Sequence, residues 1–243
     1  MAEHRPAAGG ILEPTDDDGT APTGSASGVT ETEIRTFAES DRTELRQLFR
    51  KAGEGGPTAS LWGHEESEAE IYLRAYMDLE PESLFVAVVD GALVGYLAGS
   101  LDHSKFPSES ERIATAIRKY RLALRPRPAA FLVRSALDLG LAAVRREPTA
   151  SDFADERWPA HLHINVVAAA RGTGASDGLM NAWLRRLRDS GSPGCHLLTL
   201  AENTRAVRFF ERMGFTKYGA TPLVPGIRHA GKRVHQQTMV WSP

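Results

Sequence analysis

The chain has 243 residues, 42% of them apolar, with 29 Lys and Arg against 31 Asp and Glu and a formal net charge of −2. That length suits one elaborated domain, and the near-neutral balance argues against a polyanion-binding surface, so no nucleic-acid partner is expected. Cys195 is the only cysteine, which excludes an intrachain disulfide. No apolar run nears the roughly 20 residues of a membrane span, so a cytoplasmic protein without a membrane partner is expected. The many Arg and Ala beside few Lys suggest a bacterial, GC-rich coding sequence.

Residues 1–30 are mostly Ala, Gly, Thr, Ser, Pro and Asp, too poor in large apolar side chains to offset the entropy of ordering. A disordered tail is expected there, and one folded domain over 31–243. A short strand is expected from Ile34. Ser40 and Asp41 then offer an N-cap to a helix whose Leu45, Leu48 and Phe49 share a face, with residues 53–57 ending it. Residues 65–77 read as a second helix. The clearest hairpin follows: the strand 85–89 enters Asp90-Gly91, a type I′ turn signal, and 93–98 returns.

Residues 102–158 read as a helical insertion, with helical periodicity over 108–124 and 129–145 around the breaker Arg125-Pro126-Arg127-Pro128. A strand over 161–167, a glycine turn, a helix over 175–188, a strand over 196–201 and a helix over 204–213 come next. Two terminal strands, 216–223 and 233–241, close the chain, with a long loop expected between them around Pro222, Pro225, Gly226 and Gly231.

The glycine turn is the most informative segment. Arg171-Gly172-Thr173-Gly174-Ala175-Ser176 joins a strand to a helix, so free backbone N–H groups and the positive end of the helix dipole face an anion. It has no Gly-Lys-Ser/Thr ending, which a Walker A loop needs, and Asp177 stands where a dinucleotide fingerprint needs glycine. Downstream, Glu202-Asn203-Thr204-Arg205-Ala206-Val207-Arg208-Phe209-Phe210-Glu211-Arg212-Met213-Gly214-Phe215 forms a second motif.

The first stretch resembles the R-x-x-G-x-[GA] pyrophosphate loop of the GNAT (GCN5-related) N-acetyltransferases. The second resembles that family's later helix, E-N-x-x-A-x-x-[FL]-[YF]-x-x-x-G-F. The resemblance covers roughly residues 32–101 and 159–242. It implies an α/β (α+β) fold, a mixed, mostly antiparallel sheet flanked by helices, with residues 102–158 as an insertion shaping the acceptor side. It also implies direct transfer of an acetyl group from acetyl-CoA, with no metal, to the amine of a small molecule. Protein N-termini or lysines, or a non-catalytic CoA-binding module, are the alternatives, and a homodimer is left open.

By the same resemblance, Arg171, Gly172, Thr173, Gly174, Ala175 and Ser176 would hold the diphosphate. Backbone at Val166 and Val167 would pair with the pantetheine arm, and Asn203, Ala206 and Phe210 would line its course. Phe210 stands where many relatives have a tyrosine that protonates the leaving thiolate, so the usual acid is absent; Tyr218 and Tyr96 are substitutes to weigh. For the base, Glu202, His163 and His161 are candidates, with Asp102 and His103 as further ones. Counted back from Arg171, however, the usual base positions hold Ala160 and Leu162. Strand alternation would then turn both histidines, and Asn165, to the other face.

Overall fold

The computed structural model describes residues 32–53 and 62–243; the tail expected over 1–30 and most of the 53–57 helix stop lie outside them. Strand β1 (Thr32–Thr36) leads through one 3-10 turn into helix α1 (Arg42–Gly53). Asp41 is the anchor of that entry: its carboxylate takes two hydrogen bonds from the Arg35 guanidinium, at 2.6 and 2.9 Å, and one from the Ala38 N–H. The predicted second helix is a rod of three segments, α2 (Glu65–Ala69), a π-helical stretch (Glu70–Arg74) and α3 (Ala75–Leu79). Strands β2 (Leu84–Val89) and β3 (Ala92–Ser100) form the expected hairpin, and its Asp90 and Gly91 both have positive φ, 52° and 77°, as a type I′ turn requires.

The insertion contains α4 (Glu109–Lys119) and α5 (Pro126–Arg145). Two boundaries differ from the sequence reading. Helix α4 stops at Lys119 because Arg121 takes a left-handed conformation, φ 51°. The Pro126 and Pro128 expected to separate the helices open α5 instead, since a first helical turn needs no N–H from proline.

The remaining elements are β4 (Ala160–Val166), α6 (Ala175–Asp189), β5 (Cys195–Leu200), α7 (Thr204–Arg212), β6 (Thr216–Tyr218), β7 (Leu223–His229) and β8 (Lys232–Trp241). The stretch expected as a long loop thus contains β7, which pairs with β8 as a hairpin. Its ladder skips from Val224 to Arg228, and Gly226 within the skip has φ +80°. A bulge therefore absorbs the Pro225-Gly226 pair that reads as a breaker.

The strand order is β1-β2-β3-β4-β5-β8-β6, with β7 beside β8. Every pairing between these strands is antiparallel except β4 with β5; an isolated bridge, Thr149 with Leu223, is also parallel. One face packs on α6 and α7 through Leu162, Leu179, Trp183, Leu197 and Phe210. The other packs on α1 and α3 through Leu45, Leu48, Tyr76, Val86 and Tyr96. Gly99 is required in β3, because a Cβ there would run into the Trp183 ring.

Candidate active site

The glycine turn opens α6 as the sequence suggests. Gly172 and Gly174 have φ of 86° and 83°, a left-handed region that other residues enter only with strain. A Cβ at either would meet nothing within 4 Å, so the space above the loop is open to a ligand. Thr173 fastens the loop from two sides: its hydroxyl donates to Ala170 O at 2.8 Å, and its carbonyl accepts from the Thr32 hydroxyl at 2.9 Å. The first-turn N–H groups of α6 have no partner inside the helix. Asp177, whose charge would oppose an anion there, is paired with Arg212 of α7 at 2.7 Å. Arg171 is exposed at the loop's edge.

Strands β4 and β5 are paired through Ala160↔Cys195 and His161↔His196. Beyond those rows they part, leaving the β5-facing edge of β4 without a strand partner while Val166 and Val167 stay bonded to β3. A cavity of about 290 Å³ fills the gap. One wall is α7, with Asn203, Ala206 and Phe210; the opposite wall includes Tyr72, Glu109, Val224 and Gln236; His163 and Asn165 face in from β4. Asn203 also caps α7, its Oδ1 accepting from the Ala206 N–H at 3.2 Å.

Tyr72 donates its hydroxyl proton to Glu109 Oε1 at 3.0 Å. The His163 ring lies edge-on to both Tyr72 and Tyr76, at centroid distances of 5.8 and 5.6 Å. Tyr72 and Tyr76, four residues apart, share one face of the rod and so flank the same histidine. Burial, aided by the Arg112 charge, pushes the His163 imidazole down to about 3. It is therefore neutral at physiological pH, with a free lone pair but little affinity for a proton while the cavity is empty. Burial also raises the Glu109 carboxyl above its ordinary value.

The sequence candidates divide accordingly. Alternation holds, since Leu162 packs toward α6 while His163 lies on the opposite face. Yet both line the cavity, because parted strands open both faces to the gap, which a phase argument for a closed sheet does not foresee. His161 lies deeper, its Nδ1 3.1 Å from the Tyr76 hydroxyl. Glu202 is turned away to His235, accepting its backbone N–H at 3.0 Å and facing its Nδ1 at 2.9 Å. Tyr96 is buried with its hydroxyl accepting from Asn165 Nδ2 at 2.7 Å. Tyr218 packs against Trp158 and takes a hydrogen bond from Arg157 at 2.9 Å, away from the cavity. Asp102 caps the Ser104 N–H. Cys195 is buried, its thiol pushed up to about 12 by desolvation, and so inert at neutral pH. Sequence reasoning missed Tyr72 and Glu109, whose only local signals are a helical phase and the capping box beginning at Ser108.

The glycine loop thus stands on a helix N-terminus beside the gap between two parted parallel strands. The chain belongs to the Acetyltransferase (GNAT) family, whose model matches residues 42–215. Over 95 residues it is 34% identical to a mycothiol acetyltransferase of Nocardiopsis dassonvillei, a stretch covering 37% of this chain and 29% of that protein. The chain is thus matched to less than a third of the length of its curated relatives. The fold is shared with yncA of Salmonella typhimurium, solved with its cofactor acetyl-CoA (TM-score 0.53, 14% identity, 87% of this chain and 93% of that one). It is shared too with a Drosophila melanogaster polyamine N-acetyltransferase (TM-score 0.53, 18% identity, 88% and 100% covered).

Proposed function

We propose that the protein transfers an acetyl group from acetyl-CoA to the primary amine of a small molecule. The observation that supports this best is the wall opposite α7. Glu109 of the insertion and Val224 and Gln236 of the terminal hairpin reduce the gap between β4 and β5 to a cavity of about 290 Å³. An open groove, suited to a protein chain, would lack that wall. The polyamine acetyltransferase that shares the fold is consistent with a cationic acceptor.

The residues present fit acetyl-CoA. The diphosphate would lie on the N–H groups at residues 172–176, where left-handed glycines leave the loop face open. The pantetheine would run along the unpaired edge of β4, an added strand in hydrogen-bonding terms. Asn203, Ala206 and Phe210 would flank it. Acetyl-CoA supplies an activated acetyl group as its thioester.

The chain's own contribution is to hold and deprotonate the amine. Glu109, half-buried and hydrogen-bonded by Tyr72, offers a carboxylate to an incoming ammonium. His163, neutral and facing the same cavity, takes the proton as general base. Phe210 brings no hydroxyl to the thiolate side.

The test is thiol release from acetyl-CoA with agmatine, spermidine and tyramine, set against peptides bearing a free N-terminus or a lysine. Turnover with a small amine is expected, reduced about 10²-fold or more in His163→Gln. Turnover with peptides alone, or with none of these, would overturn the reading.

A further inference from the structure

Helix α5 is apolar on two sides, and only one of them is covered. Toward the fold, Phe131 packs with Ile227 and Asp138 binds the Gly226 N–H. Outward, Val133, Leu137, Gly140 and Val144 recur at helical spacing and form one stripe. All four are exposed, Leu137 at 69% and Val144 at 82% of their full surface. Leu124, just ahead of the helix, is 81% exposed. Between Arg127 and Arg145 the one exposed polar side chain of α5 is Arg134, and its Nε turns to the Gly226 carbonyl at 2.6 Å. Of the six large apolar side chains exposed among the described residues, five lie on α5 or at Leu124. They make a patch, not scatter.

The charge around this patch is one-sided. Residues 118–146 hold eight Lys and Arg and a single acid, Asp138, which is buried and already paired with Arg228. The chain's net charge of −2 hides this, because the other acids lie elsewhere. Arg121 and Arg125 stand before the stripe and Arg145 and Arg146 after it, all exposed and without an ion pair among the described residues. That pattern selects the partner. With both ends basic, two α5 helices paired in either direction would set arginine against arginine, which disfavours a second copy. The strip is also small, about 30 Å by about 10 Å or ~300 Å², against about 800 Å² per partner in a stable protein interface. A basic helix with an apolar outer face suits an anionic lipid surface instead. There the aliphatic side chains enter the headgroup boundary and the arginines meet phosphate.

We propose that the outer face of α5 docks the protein on an anionic lipid surface, the helix lying in the plane of the interface. Leu124, Val133, Leu137 and Val144 enter the interface, and the arginines at the two ends hold it there. No helix among the described residues is long and apolar enough to cross a membrane. The expectation of no membrane partner rested on such a run, which an interfacial helix does not need. The docking is independent of the transferase reading, since none of these residues lines the acetylation cavity.

Flotation of the full chain with vesicles of equimolar phosphatidylglycerol and phosphatidylcholine, against phosphatidylcholine alone, tests this. Binding is expected with the anionic vesicles only, and it should weaken as salt is raised. Leu137→Asp combined with Val144→Asp should lower it at least about tenfold, the scale of keeping two aliphatic side chains out of an apolar phase. Arg121→Gln and Arg145→Gln should each lower it about fivefold. These side chains are exposed, so Tm should not change. A second measurement does not depend on those variants. Cys195 is buried, so Leu137→Cys offers one reactive thiol for an environment-sensitive fluorophore, whose emission should shift to the blue on adding the anionic vesicles. No binding, equal binding to both vesicle types, or an unshifted emission would overturn the proposal. So would a dimer seen by analytical ultracentrifugation without lipid and lost in Leu137→Asp, which assigns the face to a second copy.

Discussion

Single residues set the two ends of the site. At Gly174 the demand is conformational: φ is +83° and nothing crowds the Cβ position, so a substitution acts by moving backbone away from left-handed geometry. Gly174→Val is expected to cost CoA binding about 2 kcal/mol, the scale of lost hydrogen bonds to a charged group. Calorimetry showing unchanged CoA affinity would reject the diphosphate assignment. At the other end, Phe210 is buried between Phe209 and Phe215 and lines the cavity. A Tyr ring has the same frame, and general acid catalysis contributes about 10²- to 10⁴-fold. Phe210→Tyr should therefore keep CoA affinity and leave turnover equal or higher. A steep loss of turnover would show that this wall must be apolar.

At the scale of elements, one buried carboxylate ties the insertion to the terminal hairpin. Asp138 of α5 accepts from both terminal nitrogens of Arg228 at 2.7 Å and from the Gly226 N–H at 2.9 Å, while Arg233 stands 3.5 Å away. Gly226 itself must lack a Cβ, which would collide with Ser135 Oγ. Asp138→Ala leaves the Arg228 guanidinium and the Gly226 N–H without their partner at this helix–hairpin contact, a loss of about 3 kcal/mol. The expected result is a lower Tm and a higher KM for the amine with CoA affinity unchanged, because Val224 and Gln236 of the same hairpin wall the cavity. Equal KM and Tm would show that the hairpin holds without α5. These ties also explain what could be read from sequence. Asp90-Gly91 and the 171–176 loop are contiguous signals whose geometry is decided within a few residues, and both elements stand where the sequence puts them. Strand β7 was hidden because Pro225-Gly226 reads as a breaker until Asp138 and β8 hold the bulge. Tyr72 and Glu109 come from separate stretches and meet only by packing, so no local pattern marks them.

At the scale of the whole molecule, the desolvated histidines make stability depend on pH in a predictable sense. His161 is buried and His163 half-buried, and desolvation lowers both, His163 to about 3. His103 is lowered to about 4 by burial and by His196 and Arg112. In the unfolded chain each imidazole titrates near 6.5, so from that pH downward the unfolded state binds protons that the folded state refuses. Stability is complete above about pH 6.5 and falls as pH drops toward the folded values, by about 1.4 kcal/mol per pH unit for each excluded proton. Carboxylates held low by arginine, such as Asp41 beside Arg35, lose their contribution only below the ordinary Asp range, so the two effects separate along the pH axis. Urea unfolding at about pH 7.5 and about pH 5.5 should show a clear loss at the lower value. His161→Gln, which gives up one excluded proton, should flatten that dependence even where it lowers stability overall. Equal stability at the two pH values would mean that the histidines take up protons in the folded state. They would then be reached by solvent and protonated within the fold, and desolvation would not be what holds them neutral.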